Sequence, residues 1–140
     1  CLLSRGLGDV YKRQILICWD QWYARSYEYM RKNNVNLILC PTAIGFCKIK
    51  NKNISLRGER EKWLNVITAN SLMINTPVVI CNRIGTETDK DHSISFWGSS
   101  FITDSSGTVV KRCLTDQRVI HHKIAIEDQI TAKSVWNFIE

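Results

Sequence analysis

Apolar residues in this chain of 140 fall into short continuous runs separated by longer polar stretches. Three of these runs are Ile15-Leu16-Ile17, Leu37-Ile38-Leu39 and Val78-Val79-Ile80, and each leads into a cysteine: Cys18, Cys40 and Cys81. Runs without alternation are what strands buried on both faces present. The intervening segments repeat at helical spacing instead. Residues 23–34 set Tyr23, Tyr27, Met30 and Arg31 along one side, and residues 59–75 set Trp63, Val66, Ile67, Asn70 and Ile74 near one face. Pro77 stops the second helix, and Pro41 is expected to end the strand before it, because proline brings no N–H to a ladder. Residues 45–58 and 83–93 read as polar loops.

Beyond residue 98 the pattern changes. Residues 99–103, 109–113 and 118–125 read as successive strands, with Asp104-Ser105-Ser106-Gly107 as a hairpin turn and residues 127–133 as a short closing helix. Strand–helix–strand–helix–strand followed by hairpin-linked strands predicts an α/β layered sheet with an added antiparallel part. There are no internal repeats and no sign of a second domain.

Composition narrows the function classes. A 44% hydrophobic fraction fits one globular domain, and no apolar run approaches a membrane span. The net charge of +6 is partly concentrated in Lys48 to Lys52. Nucleic-acid binding would need basic residues on one face with stacking aromatics, so these lysines read as solvated surface. Excluding Cys1, the cysteines show no Cys-x-x-Cys spacing. Cys40 and Cys81 are expected in the core, and the absence of a disulfide or zinc framework points to a reducing cytoplasm. His121 and His122, as strand neighbours, would face opposite ways and not share an ion. No cofactor or metal is expected.

The chemistry concentrates at Cys18. A cysteine on a strand-to-helix corner exposes its sulfur near backbone N–H groups, which suits a thiolate nucleophile. Spacing alone favours a buried structural cysteine instead. However, Cys18-Trp19-Asp20-Gln21-Trp22-Tyr23 resembles the nucleophile segment of the carbon–nitrogen hydrolase (nitrilase) superfamily, closest to the branch that contains N-carbamoylputrescine amidase. Cys40-Pro41-Thr42-Ala43-Ile44-Gly45, Cys81-Asn82-Arg83-Ile84-Gly85-Thr86-Glu87 and Ser95-Phe96-Trp97-Gly98-Ser99-Ser100-Phe101-Ile102 match in the same order. The similarity runs from about Ile15 to the end. By contrast, Asp9-Val10-Tyr11-Lys12-Arg13-Gln14 resembles a translated library adapter. The expectation is therefore an adapter-derived stretch over 1–14 and, over 15–140, the C-terminal portion of a nitrilase-type α-β-β-α sandwich, truncated at its N-terminus and slightly at its C-terminus.

The resemblance implies a thiol amidohydrolase with a Glu–Lys–Cys triad, of which only Cys18 is present, so that residues 15–140 alone are expected to be inactive. It implies that the backbone N–H of Trp19 serves the oxyanion, that Thr42, Ala43 and Ile44 line the pocket rim, and that no metal is needed. Relatives acting on carbamoyl amino acids carry arginines where this chain has Gln21 and Trp22, which argues for a cationic or neutral substrate such as N-carbamoylputrescine, cleaved to putrescine, carbon dioxide and ammonia. Trp22 would pack against an alkyl chain or ammonium, or simply into the core. Another amidase or nitrilase, or a non-catalytic member of the fold, remains open. The usual Pro-Glu and later arginine appear here as Ala24-Arg25 and Glu28, spaced to pair on a helix. The expected partners are a small-molecule substrate and, at full length, further copies of the same chain; neither nucleic acid nor membrane is expected.

Overall fold

The computed structural model describes residues 11–136 and 138, apart from 51, 55 and 114–118. Its first sheet runs in the order β1 (Arg13–Ile15), β2 (Leu37–Thr42), β5 (Val78–Asn82), β8 (Phe101–Thr103) and β9 (Val109–Arg112). The first three strands are parallel, and β8 and β9 add to them as an antiparallel hairpin. Helices α1 (Ala24–Lys32) and α2 (Glu59–Met73) form the two crossovers. Successive right-handed crossovers that advance in one direction set their helices on the same face of the sheet. The core lies there: Tyr27 and Met30 of α1 and Trp63 and Ile67 of α2 pack with Ile38, Cys40, Val78, Ile80 and Phe101.

Local sequence explains the helix ends. Asn34 and Asn75 lie just past α1 and α2 in the left-handed conformation, with φ of 53° and 49°, a position asparagine tolerates. Two other expectations are corrected. β2 runs through Pro41, which pairs in register with Cys81. Within β2, Ile38 donates its N–H to the β5 side, so the alternating Leu39 and Pro41 face β1. Since β1 has ended at Ile15, the proline forfeits no ladder bond. Cys81 is exposed rather than in the core. Cys40 opposes Ile80 and points toward the helices, whereas Cys81 opposes Pro41 on the other face.

The resemblance implies a second sheet, but the polar pattern did not show which residues build it. The stretches read as loops contain β3 (Gly45–Ile49), β4 (Lys52–Asn53), β6 (Ile84–Asp89) and the start of β7 (His92–Trp97), in the antiparallel order β4-β3-β7-β6. All six residues of β6 are exposed, so its strand character imposes no apolar pattern. Gly45 is required by close approach, because a Cβ there would run into the backbone of Ser95 and Phe96 on β7.

The opposite error occurs in 118–125. Arg118 lies outside the described residues, and 119–125 form no strand. His121 and His122 are exposed there, so the strand geometry used to separate them does not apply. The final helix α3 spans Ile126–Val135. At the beginning, the sheet starts two residues before Ile15, and Lys12 both donates its N–H to Asn36 Oδ1 at 3.0 Å and accepts from the Asn36 N–H at 2.8 Å. Among the described residues no helix is long and apolar enough to cross a membrane.

Candidate functional site

Cys18 sits where the chain leaves β1. Its φ is 45°, the left-handed region that a non-glycine residue enters at a cost. The residues after it form a single 3-10 turn, Cys18–Trp22, and α1 starts only at Ala24. The cysteine therefore opens a tight corner but does not stand at the first turn of the α-helix, as its sequence position suggested. Asp20 closes the corner by accepting the Ile17 N–H on its carboxylate at 3.2 Å, while the Asp20 N–H donates to the Ile17 carbonyl at 3.0 Å.

Gln21 anchors the turn from below. It is fully buried, and each of its side-chain polar atoms has partners. Its Nε2 donates to the Cys18 carbonyl at 2.5 Å and to Thr42 Oγ1 at 2.9 Å. Its Oε1 accepts from the Trp63 indole at 2.8 Å and from the Cys40 thiol at 3.7 Å. The Tyr27 hydroxyl also donates to the Gln21 carbonyl, at 3.1 Å. Gln21 thus faces the core, not the mouth of the site, and its lack of charge reflects that burial. The Thr42 hydroxyl, in turn, donates to Cys18 Sγ at 3.3 Å. Burial pushes the Cys40 thiol up to about 12, with charge at Cys18 and Asp20 adding to the effect. The Tyr27 phenol is raised by burial first and by Cys40 second.

The other expected site residues take up three different settings. Trp19 is 61% exposed, and its ring lies 5.9 Å from that of Trp22. Trp22 packs partly against the core and also lines an open cleft of about 900 Å³ with Ile15, Asp20, Tyr23 and Tyr29; Cys18 is not in its lining. Ala43 is exposed, while Ile44 is in the core cluster, so its side chain does not form a rim. Arg25 and Glu28 do not form the expected ion pair. Glu28 instead binds Lys32 at 2.6 Å, and that hydrogen bond, followed by the Lys32 charge, holds the Glu28 carboxyl below its ordinary value.

Beside this corner the chain passes three times between the sheets, after Thr42, after Asn82 and after Trp97. One side chain binds all three passages. Asn82 Oδ1 accepts the Ile44 N–H at 2.9 Å, and its Nδ2 donates to the Ile44 carbonyl at 3.1 Å and the Gly98 carbonyl at 2.9 Å. The three downstream motifs therefore meet at one junction, and Thr42 connects it to the sulfur. Sequence reasoning missed Gln21, Trp63 and Asn82 as parts of this framework. A 3-10 turn and a sheet-to-sheet crossing have no periodicity that would mark a residue as inward-facing. Among the described residues no group of three or more His, Cys, Asp or Glu side chains could hold a metal ion.

Comparison with known proteins defines the class. The carbon-nitrogen hydrolase family pattern matches residues 4–133, and the chain belongs to that family. It is 35% identical over 99 residues to N-carbamoylputrescine amidase of Oryza sativa subsp. japonica, covering 68% of this chain and 32% of that protein. It is 33% identical over 91 residues to citrullinase of Francisella tularensis, covering 65% and 30% respectively. The crystal structure of a carbon-nitrogen hydrolase from Helicobacter pylori G27 superposes with a TM-score of 0.79 at 23% identity, covering 95% of this chain and 50% of that one. The chain thus spans about a third of the length of these curated relatives, and its fold is that of the nitrilase superfamily.

Proposed function

We propose that this chain carries the nucleophile of a thiol amidohydrolase acting on a terminal carbamoyl group, with N-carbamoylputrescine as the substrate. The observation that carries the reading is Cys18, on a left-handed corner with its sulfur hydrogen-bonded by Thr42. A residue kept in a costly backbone conformation beside a built hydrogen-bond framework is a candidate for function. The two relatives support the class of substrate: N-carbamoylputrescine and citrulline both end in –NH–CO–NH2.

In this reading the Cys18 thiolate attacks the carbonyl carbon, the C–N bond to the terminal nitrogen breaks, and that nitrogen takes a proton and leaves as ammonia. Water then cleaves the carbamoyl thioester, returning the thiol and releasing a carbamic acid that decomposes to carbon dioxide and the amine. Dividing the reaction in two is the benefit of a covalent nucleophile. The Trp19 backbone N–H, next in the chain, serves the tetrahedral oxyanion. A carboxylate and an ammonium complete the triad in this reading. Trp22, Thr42 and Ala43 are the side chains assigned to the substrate. The enzyme is cytoplasmic and homo-oligomeric, and it needs no metal or cofactor.

The citrullinase relative favours a second substrate reading, citrulline, within the same chemistry. The test is ammonia release by the protein from the complete coding region, supplied with N-carbamoylputrescine, citrulline and simple amides. Turnover is expected with N-carbamoylputrescine above the others, and Cys18→Ser should abolish it while the fold persists. Turnover surviving in that variant would refute the reading, and preference for citrulline would replace the substrate.

A further inference from the structure

The hydrogen bonds around Gln21 have only one possible direction. An indole N–H can only donate, so the Gln21 atom 2.8 Å from Trp63 Nε1 is the carbonyl oxygen. The amide nitrogen is thereby turned toward Thr42 Oγ1, at 2.9 Å. That nitrogen also only donates, so the Thr42 oxygen is the acceptor and its own proton is left for another group. Cys18 Sγ, at 3.3 Å, receives it. Thr42 is only 9% exposed, so water competes little for the hydroxyl.

We propose that Thr42 is the donor that holds the Cys18 sulfur and favours its thiolate, with Gln21 and Trp63 as positioning residues that aim the hydroxyl. The proposal rests on Cys18 being the nucleophile. A hydrogen bond from a hydroxyl strengthens as its acceptor gains negative charge, so this one favours the reactive form over the resting thiol. It also fixes the sulfur's direction, because the donor belongs to β2 and the amide that orients it is held by α2.

The test reads the sulfur directly, without turnover. The chain is alkylated with iodoacetamide from pH 6 to pH 10, and labelling at Cys18 is followed by peptide mass spectrometry. The exposed Cys81 serves as the internal reference. Thr42→Val should displace the Cys18 labelling curve to higher pH and lower its rate near neutrality by about three- to tenfold, the scale of a lost charge-assisted hydrogen bond. Thr42→Ser should stay near the parent. Trp63→Phe, which frees the Gln21 amide, should give a smaller displacement in the same direction. Cys81 should be unchanged throughout. Should Thr42→Val lose its circular-dichroism signature, Thr42→Ala is measured in its place with the same expectation. A valine or alanine curve that superimposes on the parent, or a serine curve that follows the valine, overturns the proposal. If labelling is flat but Cys18→Ser abolishes hydrolysis, the relay alone fails. If Cys18→Ser keeps turnover while labelling shifts, the hydrolase reading fails instead.

Discussion

β2 and β6 are both six-residue strands, yet every second residue of β2 is buried and none of β6 is. β2 lies between two parallel neighbours and points Ile38, Cys40 and Thr42 into the core. β6 is an edge strand with every residue exposed, and it is held mainly by its pairing with β7. The difference separates two tasks. Where burial is complete, a side chain has few alternatives, and there the chain sets the geometry around Cys18. Where the strand is open to solvent, the backbone keeps its hydrogen bonds while the side chains are left to vary.

Removing the packing behind the first sheet should have the largest effect. Trp63→Ala deletes a fully buried indole that also holds Gln21, and a loss of about 4 kcal/mol is expected in urea unfolding. A loss below about 1 kcal/mol would mean that the core is not centred there. Asn82→Ala comes next. It leaves buried partners at Ile44 and Gly98 unsatisfied, at a cost of about 2–3 kcal/mol. Amide exchange should show protection falling in both sheets at once, and a fall confined to one sheet would show that Asn82 does not couple them.

A pH series sharpens the same contrast at intermediate size. The Cys40 thiol is raised from its ordinary 9.0 to about 12, chiefly by burial. The unfolded chain therefore gives up this proton first, and the stability that the buried neutral thiol contributes is fully present below pH 9 and lost as the pH rises toward 12. Cys40→Val should remove this part of the alkaline loss. Urea midpoints at pH 7.5 and 10 should fall further in the parent than in the variant, and equal falls would contradict the assignment. The smallest effect belongs to the open sheet. Arg83 and Glu87 form a 2.6 Å pair with both side chains about half exposed, so Glu87→Gln should change stability by less than about 0.5 kcal/mol. A change above 1 kcal/mol would show that the second sheet depends on its charges.

Legibility in the sequence followed the same division. Leu37-Ile38-Leu39 and Val78-Val79-Ile80 reveal β2 and β5 because Ile38, Val78 and Ile80 are buried and the alternating Leu37, Leu39 and Val79 are still half-buried, so both faces call for apolar residues. The α1 and α2 helices show through Tyr27, Met30, Trp63 and Ile67 for a related reason. β6 and β3 were read as loops, since Thr86, Glu87 and Lys48 satisfy an exposed strand and a loop equally well. At the site, Cys18 was visible through its corner and its motif. The roles of Gln21 and Asn82 were not, because each depends on contacts with residues far along the chain, Trp63 in one case and Gly98 in the other. Pro41 misled for a local reason: its missing N–H matters only on the side where a neighbouring strand continues, and β1 has already stopped.

The gathering of all three passages at Asn82 has a consequence for how such a chain can vary. The β6–β7 hairpin projects from a clamped base, with Asn82 before one strand and Gly98 after the other, so a residue gained or lost near its tip, at Lys90, alters the overhang and its contact with the neighbouring tip at Lys50. The cysteine corner lies on the near side of the clamp and is insulated from such changes in length.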